Sequence, residues 1–515
     1  MPDAASESAT DAAEAPLNFP VFEYRVRGNT LLKRTDVERA VYPYLGEART
    51  FDDVEAARQA LADRYKAAGY PFVEVFIPEQ AADAGIVRLE VSETRIDRLR
   101  VTGSRYFSLA RIKDEVPELK AGQVPHMPTA QAQLSQVNGL SPDRTIAPVL
   151  RPGRLPGTME VELKVKDRLP LHGGLELNDR YTEDTSRLRL SASLRYDNLW
   201  QREHSLGVAY QVSPQNPEEV EVYSGTYLFR VPAADAIVAF YAVDSSSNLS
   251  TIGSLGPVGV IGNGFIAGVR GIKPLVARPG LSHSLTLGAD YKDFGESVAT
   301  LGADTLNTPI SYAVFSAQYG GSYSGERGTT RGSVTAIFAP RAFGNTDLEF
   351  DEKRFGARAN FAYARLNLEH DLPLPQGAEI GARFIGQVAE SPLISNEQFS
   401  AGGATSVRGY LESQQLADEG YQAGVELRSP SFARYLRDRL DNLRLLAFFE
   451  GARLHMQKVL PGQETDFVLM GVGMGLRLAA WDGLSAALDW AWPLRGLGSI
   501  DAGDPRLHFN MGYEF

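Results

Sequence analysis

One arginine in this sequence stands where a cation needs a partner. Arg408 lies in Phe399-Ser-Ala-Gly-Gly-Ala-Thr-Ser-Val-Arg-Gly-Tyr410, a glycine-rich run between segments that alternate like strands. Glycines let a backbone reverse and approach a wall closely. A guanidinium confined there is costly unless a carboxylate meets it. Glu450, in Leu446-Ala-Phe-Phe-Glu-Gly-Ala-Arg453, is the carboxylate that a downstream strand offers. The chemistry of such a pair is mechanical: it pins a loop that enters a pore to the wall of that pore. A solvated arginine on a surface loop is the plainer alternative, and the loop alone does not separate the two.

Little else in the chain is arranged as a reagent. The seven histidines show no metal-ligand spacing, and no acid/base pair suggests catalysis. Gly262-Asn-Gly-Phe-Ile-Ala-Gly268 has the wrong spacing for a dinucleotide loop, and no helix follows it. Gly321-Ser-Tyr-Ser-Gly325 carries Tyr323 where a nucleophile elbow needs serine. The expectation is a protein with no catalytic, cofactor or metal site. Zero cysteines exclude disulfides and thiolate ligands, and suit a chain that meets an oxidising periplasm. A net charge of -12 argues against a nucleic-acid partner. No apolar stretch is long enough for a helical membrane span, but alternating transmembrane strands escape that test. Residues 1–17 carry Asp3, Glu7, Asp11 and Glu14 with no Lys or Arg. They read as a disordered acidic tail, not a secretory leader.

The elements that must position Arg408 fall into two parts. Residues 18–94 and 95–168 are a tandem repeat. Arg25-Val-Arg-Gly-Asn29 recurs as Arg100-Val-Thr-Gly-Ser104, and Val37 and Val41 recur as Ile112 and Val116. In the first copy Val54, Ala57, Leu61, Tyr65 and Ala68 lie on one helical face, and strands follow around 70–77 and 86–91. The second copy repeats the plan, with a helix near 129–137 and strands near 146–151 and 159–165. Each unit reads β-α-α-β-β. Within the first, Phe72, Glu74 and Phe76 share one face of a strand and Val73, Val75 and Ile77 share the other. If one face packs on the helix, an extended peptide has an edge to join. Proline at Glu74 would then test that edge, provided the lost donor faces the groove. The alternative is that Phe72 and Phe76 are only core.

Residues 169–515 are strand after strand. Leu188, Leu190, Ala192, Leu194 and Tyr196 alternate with Arg187, Arg189, Ser191, Ser193 and Arg195, and Val468–Arg477 alternates in the same way. Sixteen segments begin near 171, 186, 203, 219, 234, 258, 281, 311, 329, 358, 378, 420, 442, 466, 482 and 505. The longer connections follow odd-numbered segments, as in a barrel with its N-terminus in the periplasm; a soluble sandwich has no reason for this parity. An even count closes the sheet with no edge in lipid. The fold expected is mixed: two small α/β domains, then a 16-stranded antiparallel transmembrane β-barrel. Inward Arg187, Arg189, Arg195, Glu426, Arg428 and Arg477 are read as a wetted lumen.

The repeat plan, with Gly28-Asn29 after the first strand and Gly69-Tyr70 entering the second, resembles the POTRA domain. Val407-Arg-Gly-Tyr410, between the eleventh and twelfth strands, resembles the sixth-loop motif of the BamA-type superfamily, which enters the lumen and meets a Phe-x-Asp motif on strand thirteen. That motif here would be Phe448-Phe-Glu450, with Glu in place of Asp. Two POTRA units, Asp197-Asn-Leu199 with His204-Ser-Leu206, and Leu150-Arg-Pro-Gly153 are similar to the transporters of two-partner secretion, the hemolysin/hemagglutinin secretion-activator group. The aromatic ending, with Phe509, Tyr513 and Phe515, resembles the C-terminal signal read by the barrel-assembly machinery.

The resemblance implies a Gram-negative outer-membrane pore with periplasmic POTRA domains. It would export a β-helical exoprotein (an adhesin, a cytolysin or a contact toxin), with outer-membrane lipid around it. A barrel insertase of the same superfamily, or a plain porin or receptor, are the alternatives. Family members usually carry an N-terminal plug helix and linker. Residues 1–17 are too short for both, so either the plug was trimmed or the loop alone gates the pore. In the latter case conductance should be large and frequent.

Overall fold

The computed structural model describes residues 18–515 apart from 82, 184, 248–250, 254–255, 259–261, 299–305 and 436–439. The acidic tail expected over residues 1–17 lies outside the described residues. The chain divides into two compact units, one ending at Pro170 and one spanning Leu171–Phe515.

The first unit holds both repeats. In order they are β1 (Phe19–Val21), β2 (Glu23–Arg27), α1 (Arg34–Val41), β3 (Gly46–Arg49), α2 (Phe51–Ala67), β4 (Val73–Phe76) and β5 (Ile86–Glu93), then β6 (Arg95–Thr102), α3 (Leu109–Asp114), α4 (Met127–Gly139), β7 (Arg144–Pro152) and β8 (Thr158–Asp167). The two main sheets share one plan, β2-β5-β4 and β6-β8-β7, with the last strand central. Helix α2 starts where Thr50 and Asp53 cap each other reciprocally. Its Val54, Ala57, Leu61 and Tyr65 recur at helical spacing and are all buried. The repeat also survives in its turns. Gly28 and Gly103 both have φ +87°, and a methyl on either would lie 2.2 or 2.4 Å from the carbonyl oxygen of Val91 or Val165, a position only glycine fills. The sequence plan misses the small β1-β3 pair, whose few bridged residues are too short to show a period.

The second unit is a closed ring of sixteen antiparallel strands. The strands that bear on the site are the first (Leu171–Asn178), seventh (Leu281–Val298), eighth (Leu306–Gly325), tenth (Phe361–Pro373), eleventh (Glu379–Ala389), twelfth (Glu419–Arg428), thirteenth (Leu440–His455), fourteenth (Asp466–Ala480), fifteenth (Leu484–Pro493) and sixteenth (Arg506–Glu514). The eighth begins earlier than the alternation suggests, because its ladder with the seventh runs out to Val298–Leu306. Backbone pairing continues there without a greasy face to announce it. The sixteenth strand closes on the first through Asn510–Asn178 to Glu514–Gly174.

Connections after odd strands include 340–360 and 390–418, whereas 326–327 and 481–483 follow even ones. Tyr223, Phe240, Leu287, Tyr291, Val425, Phe449, Met474, Trp490 and Met511 point outward and are exposed. An apolar outward face repeated on strand after strand fits a lipid surround. Among the described residues no helix is long and apolar enough to cross a membrane; the strands do the crossing.

Candidate functional site: a loop pinned inside the barrel

The connection 390–418 turns into the lumen and brings Arg408 to the thirteenth strand. Strand parity sets the socket. Phe449 faces out and is 49% exposed, while its neighbours Phe448 and Glu450 face in at 3% and 1%. Arg408, itself 3% exposed, donates from Nε to Glu450 Oε1 at 3.0 Å and from a terminal nitrogen to the same oxygen at 2.6 Å. Its backbone N–H donates to Oε2 at 2.8 Å, so one carboxylate holds both the side chain and the chain itself. The guanidinium carbon lies 3.4 Å over the centre of the Phe448 ring, a cation–π contact on the remaining face. Charge-assisted bonds of this kind are about twice as strong as neutral ones.

The alternation turns Glu426, Arg428 and Arg477 inward but does not tie them to the pair. Glu426 on the twelfth strand and Asp489 on the fifteenth approach Arg408 at 2.9 and 3.3 Å. Arg383 on the eleventh strand joins Glu450 and also donates to the carbonyls of Thr405 and Ser406. Arg477 bonds Asp489 at 2.8 and 2.9 Å, and Arg428 bridges Glu426, Glu379 and Asp371. Three acids thus surround Arg408, and each is shared with a further arginine.

This corrects the wetted-lumen reading. Glu426, Arg428 and Arg477 belong to the lattice that seats the loop. Arg189 is fully buried on the carbonyls of Ser186 and Leu188, and Arg187 lies over the Tyr181 ring. Arg187 stays exposed, and Arg195, paired with Asp197, keeps a half-exposed side chain, so the wetted reading holds for these two. Parity gave the faces of these residues; their partners come from other strands.

The neighbours of the motif are fixed as closely. Gly409 has φ +102°, and a methyl there would lie 2.9 Å from the Pro493 nitrogen; its N–H donates to His508 Nε2 at 3.1 Å. Tyr410 is fully buried and donates to the Arg495 carbonyl at 2.8 Å. Val407 is buried with Phe399, Leu411, Leu454 and Leu469. The fourteenth strand supplies the clearance: methyls on Gly471, Gly473 and Gly475 would meet the Arg408 carbonyl oxygen at 2.2 Å, the Phe448 ring at 2.4 Å and Asp489 at 2.0 Å. The signal was in the sequence, where glycine repeats at every second position opposite the greasy face.

The peptide edge expected in the first repeat is partly rearranged. Val73 and Val75 are buried with Leu61 and Tyr65, and Ile77 packs beside them. Phe76 and Glu74 are exposed. Phe72 precedes β4 and packs against the second repeat's core, so it does not line a groove with Phe76. β4 is an edge strand. The Val91 carbonyl lies beside Gly28, on the β2 side, and the Val75 carbonyl accepts from Arg58 at 3.1 Å. Val75 and Val91 are opposite each other, so theirs is the non-bonded kind of pair. Val75 therefore turns its N–H and C=O to the free edge, and Glu74 turns its own to Ser92. Proline at Glu74 tests the inner ladder and not the edge.

At the C-terminus Phe509, Tyr513 and Phe515 lie at alternate positions on the outward stripe, and Phe515 exchanges backbone bonds with Gly173 at 3.0 and 3.1 Å.

Comparison with known proteins adds to this geometry. Residues 157–478 match the family model described as haemolysin secretion/activation protein ShlB/FhaC/HecB, and residues 19–94 match the ShlB-type POTRA domain. The outer membrane transporter CdiB of Dickeya dadantii is 22% identical over 492 residues, covering 94% of this chain and 84% of that one. The heme/hemopexin transporter protein HuxB of Haemophilus influenzae is 19% identical, covering 82% of this chain and 75% of its own. Among solved structures, CdiB from Escherichia coli superposes with a TM-score of 0.62 at 18% identity, covering 99% of this chain and 93% of that one. BamA from Haemophilus ducreyi lacking POTRA domains 1–3 gives 0.60 at 13%, covering 96% and 100%; both likenesses are of fold. The family model spans most of the chain and takes in the pinned loop with Glu426 and Glu450, so this protein belongs to the ShlB/FhaC/HecB haemolysin secretion/activation family of outer-membrane transporters.

Proposed function

We propose that the chain captures an unfolded, β-rich exoprotein at the free edge of β4 and passes it through the barrel, with the Arg408–Glu450 pin fixing the loop that the cargo must move past. The observation that carries this reading is the loop itself. It is long, buried in the lumen, and held to the wall by ion pairs between side chains. Val75's outward N–H offers an incoming strand a main-chain donor with little demand on its sequence, while its carbonyl is held by Arg58. Exposed Phe76 and Glu74 lie on the solvent face beside it.

The periplasm offers no ATP and the sequence holds no nucleotide motif, so folding of the cargo outside would supply the drive. The partner would be a β-helical adhesin, cytolysin or contact toxin. Outer-membrane lipid would cover the apolar girdle, and the barrel-assembly machinery would read Phe509, Tyr513 and Phe515. Reconstitution in liposomes tests this. Export predicts that an exoprotein fragment added on the POTRA side emerges on the other. New membrane-embedded barrels without export would indicate an insertase, and ion flux with neither would indicate a porin.

A further inference from the structure

The loop has a second polar anchor that the Arg408 motif does not include. Glu397, 1% exposed, accepts from Lys292 Nζ and from the Tyr312 hydroxyl at Oε1, and from the Tyr363 hydroxyl at Oε2, each at 2.6 Å. These donors stand on the seventh, eighth and tenth strands, an arc of wall separate from the twelfth to fifteenth strands that hold Arg408. The Glu397 carbonyl also accepts from Gln387 at 3.2 Å. Around the seat Leu393 and Ile394 are buried in one apolar cluster with Phe294, Ile310, Phe361 and Phe350. Phe350 comes from the short helix α5 (Asp347–Lys353) in the preceding long connection.

The polarity of the two anchors is reversed. At Arg408 the loop brings the cation and the wall the acids; at Glu397 the loop brings the acid and the wall a lysine and two phenols. Neither half can seat in the other's socket without leaving a buried charge unpaired.

We infer that Glu397 is a positioning residue that holds the loop across the lumen at its long-loop end, making it a strap fixed to two arcs of wall and closing the resting pore. This deepens the export reading and rests on it for its purpose: cargo passes only when a pin lets go. Its geometry does not depend on the cargo, which keeps the tests apart.

The full chain in planar bilayers gives the experiment, with heat-modifiable gel mobility confirming a folded barrel. The sequence has no cysteine, so Asn396→Cys adds one buried reporter for a membrane-impermeant maleimide. Glu397→Gln and, from the wall side, Lys292→Gln should each raise the open-to-closed ratio about tenfold, equivalent to roughly 1.4 kcal/mol. Maleimide labelling should quicken in step, and Glu397→Asp should restore most of the closure. Combining the two Gln variants should add little, because both remove one interaction. Wild-type conductance and labelling in both single variants, or fully additive effects, would overturn the proposal. A chain that shows these shifts yet exports no fragment would leave the strap standing and remove the export reading instead.

Discussion

Arg408 and Glu450 sit in a drier place than a pore-lining pair would. Removing one partner of a well-buried ion pair costs about 3–5 kcal/mol, and with both groups almost fully enclosed that range applies here with little discount for water. Arg408→Ala should leave a barrel that still shifts on heating, with its loop displaced and secretion largely lost; normal secretion would show the pin to be dispensable. Glu450→Gln should be worse than Glu450→Asp. The amide keeps the reach but turns a neutral group toward Arg408 and Arg383, whereas Asp keeps the charge.

Clearance matters as much as charge. Gly471→Ala would put a methyl against the Arg408 carbonyl, whereas at Gly451 on the thirteenth strand the nearest atom would be 3.5 Å away. Gly471→Ala should therefore reproduce the Arg408→Ala defect and Gly451→Ala should secrete normally. Limited proteolysis of the loop would read both.

At the scale of elements, β4 separates two effects that one residue cannot. Proline is tolerated where a strand's N–H faces outward and not where it joins the ladder. Val75→Pro should weaken binding of an extended peptide by roughly fivefold, the loss of one net hydrogen bond, with residues 18–168 still folded but melting somewhat lower for the loss of a buried valine. Glu74→Pro should destabilise the domain. NMR titration with a peptide from the exoprotein's N-terminal region reads the first, and thermal melting the second.

Each repeat also ties its first turn to its last strand by a carboxylate. Glu93 accepts from the Thr30 N–H at 2.6 Å, and Asp167 from the Arg105 and Tyr106 N–H groups, both at 2.8 Å. Burial pushes the Asp167 carboxyl up, but those two N–H groups and the Ser104 hydroxyl outweigh it and hold it below the usual value of 3.8. A depressed folded pKa contributes stability that is complete above the unfolded value and fades as pH falls through the folded one. Asp167→Asn should therefore melt lower than wild type at pH 7, with the gap narrowing below about pH 4. A gap independent of pH would mean that the carboxylate's charge is not what holds the turn.

For the whole molecule, the described residues pack two apolar clusters into the long-loop end of the barrel. One apolar cluster takes in the inner faces of Tyr241, Ile266, Tyr312 and Phe361 with Phe350 and Ile394, and a second packs the loop around Tyr410 against Leu454 and Leu469. The expectation of a wide, frequently open pore therefore gives way to a quiet one. Purified protein in planar bilayers should show rare, brief openings that become frequent in Arg408→Ala. Large steady conductance in the wild type would mean that these clusters do not seal.

The sequence alone carried the two repeats, the sixteen strands and the face of each inward residue, because these depend on periods of two and of about 3.6 that a chain displays locally. It also carried the Arg408–Glu450 match, since a loop motif and a strand motif can be read separately and joined by charge. It did not carry Glu426, Asp489, Arg383 and His508 around that pair, or Lys292, Tyr312 and Tyr363 around Glu397. Those partners lie on strands far apart in the chain, and which inward residues share a height depends on register and closure, which no local period encodes. For the same reason the inward arginines looked solvated when read one by one. Only the closed barrel, with its loop folded in, decided that most of them are paired.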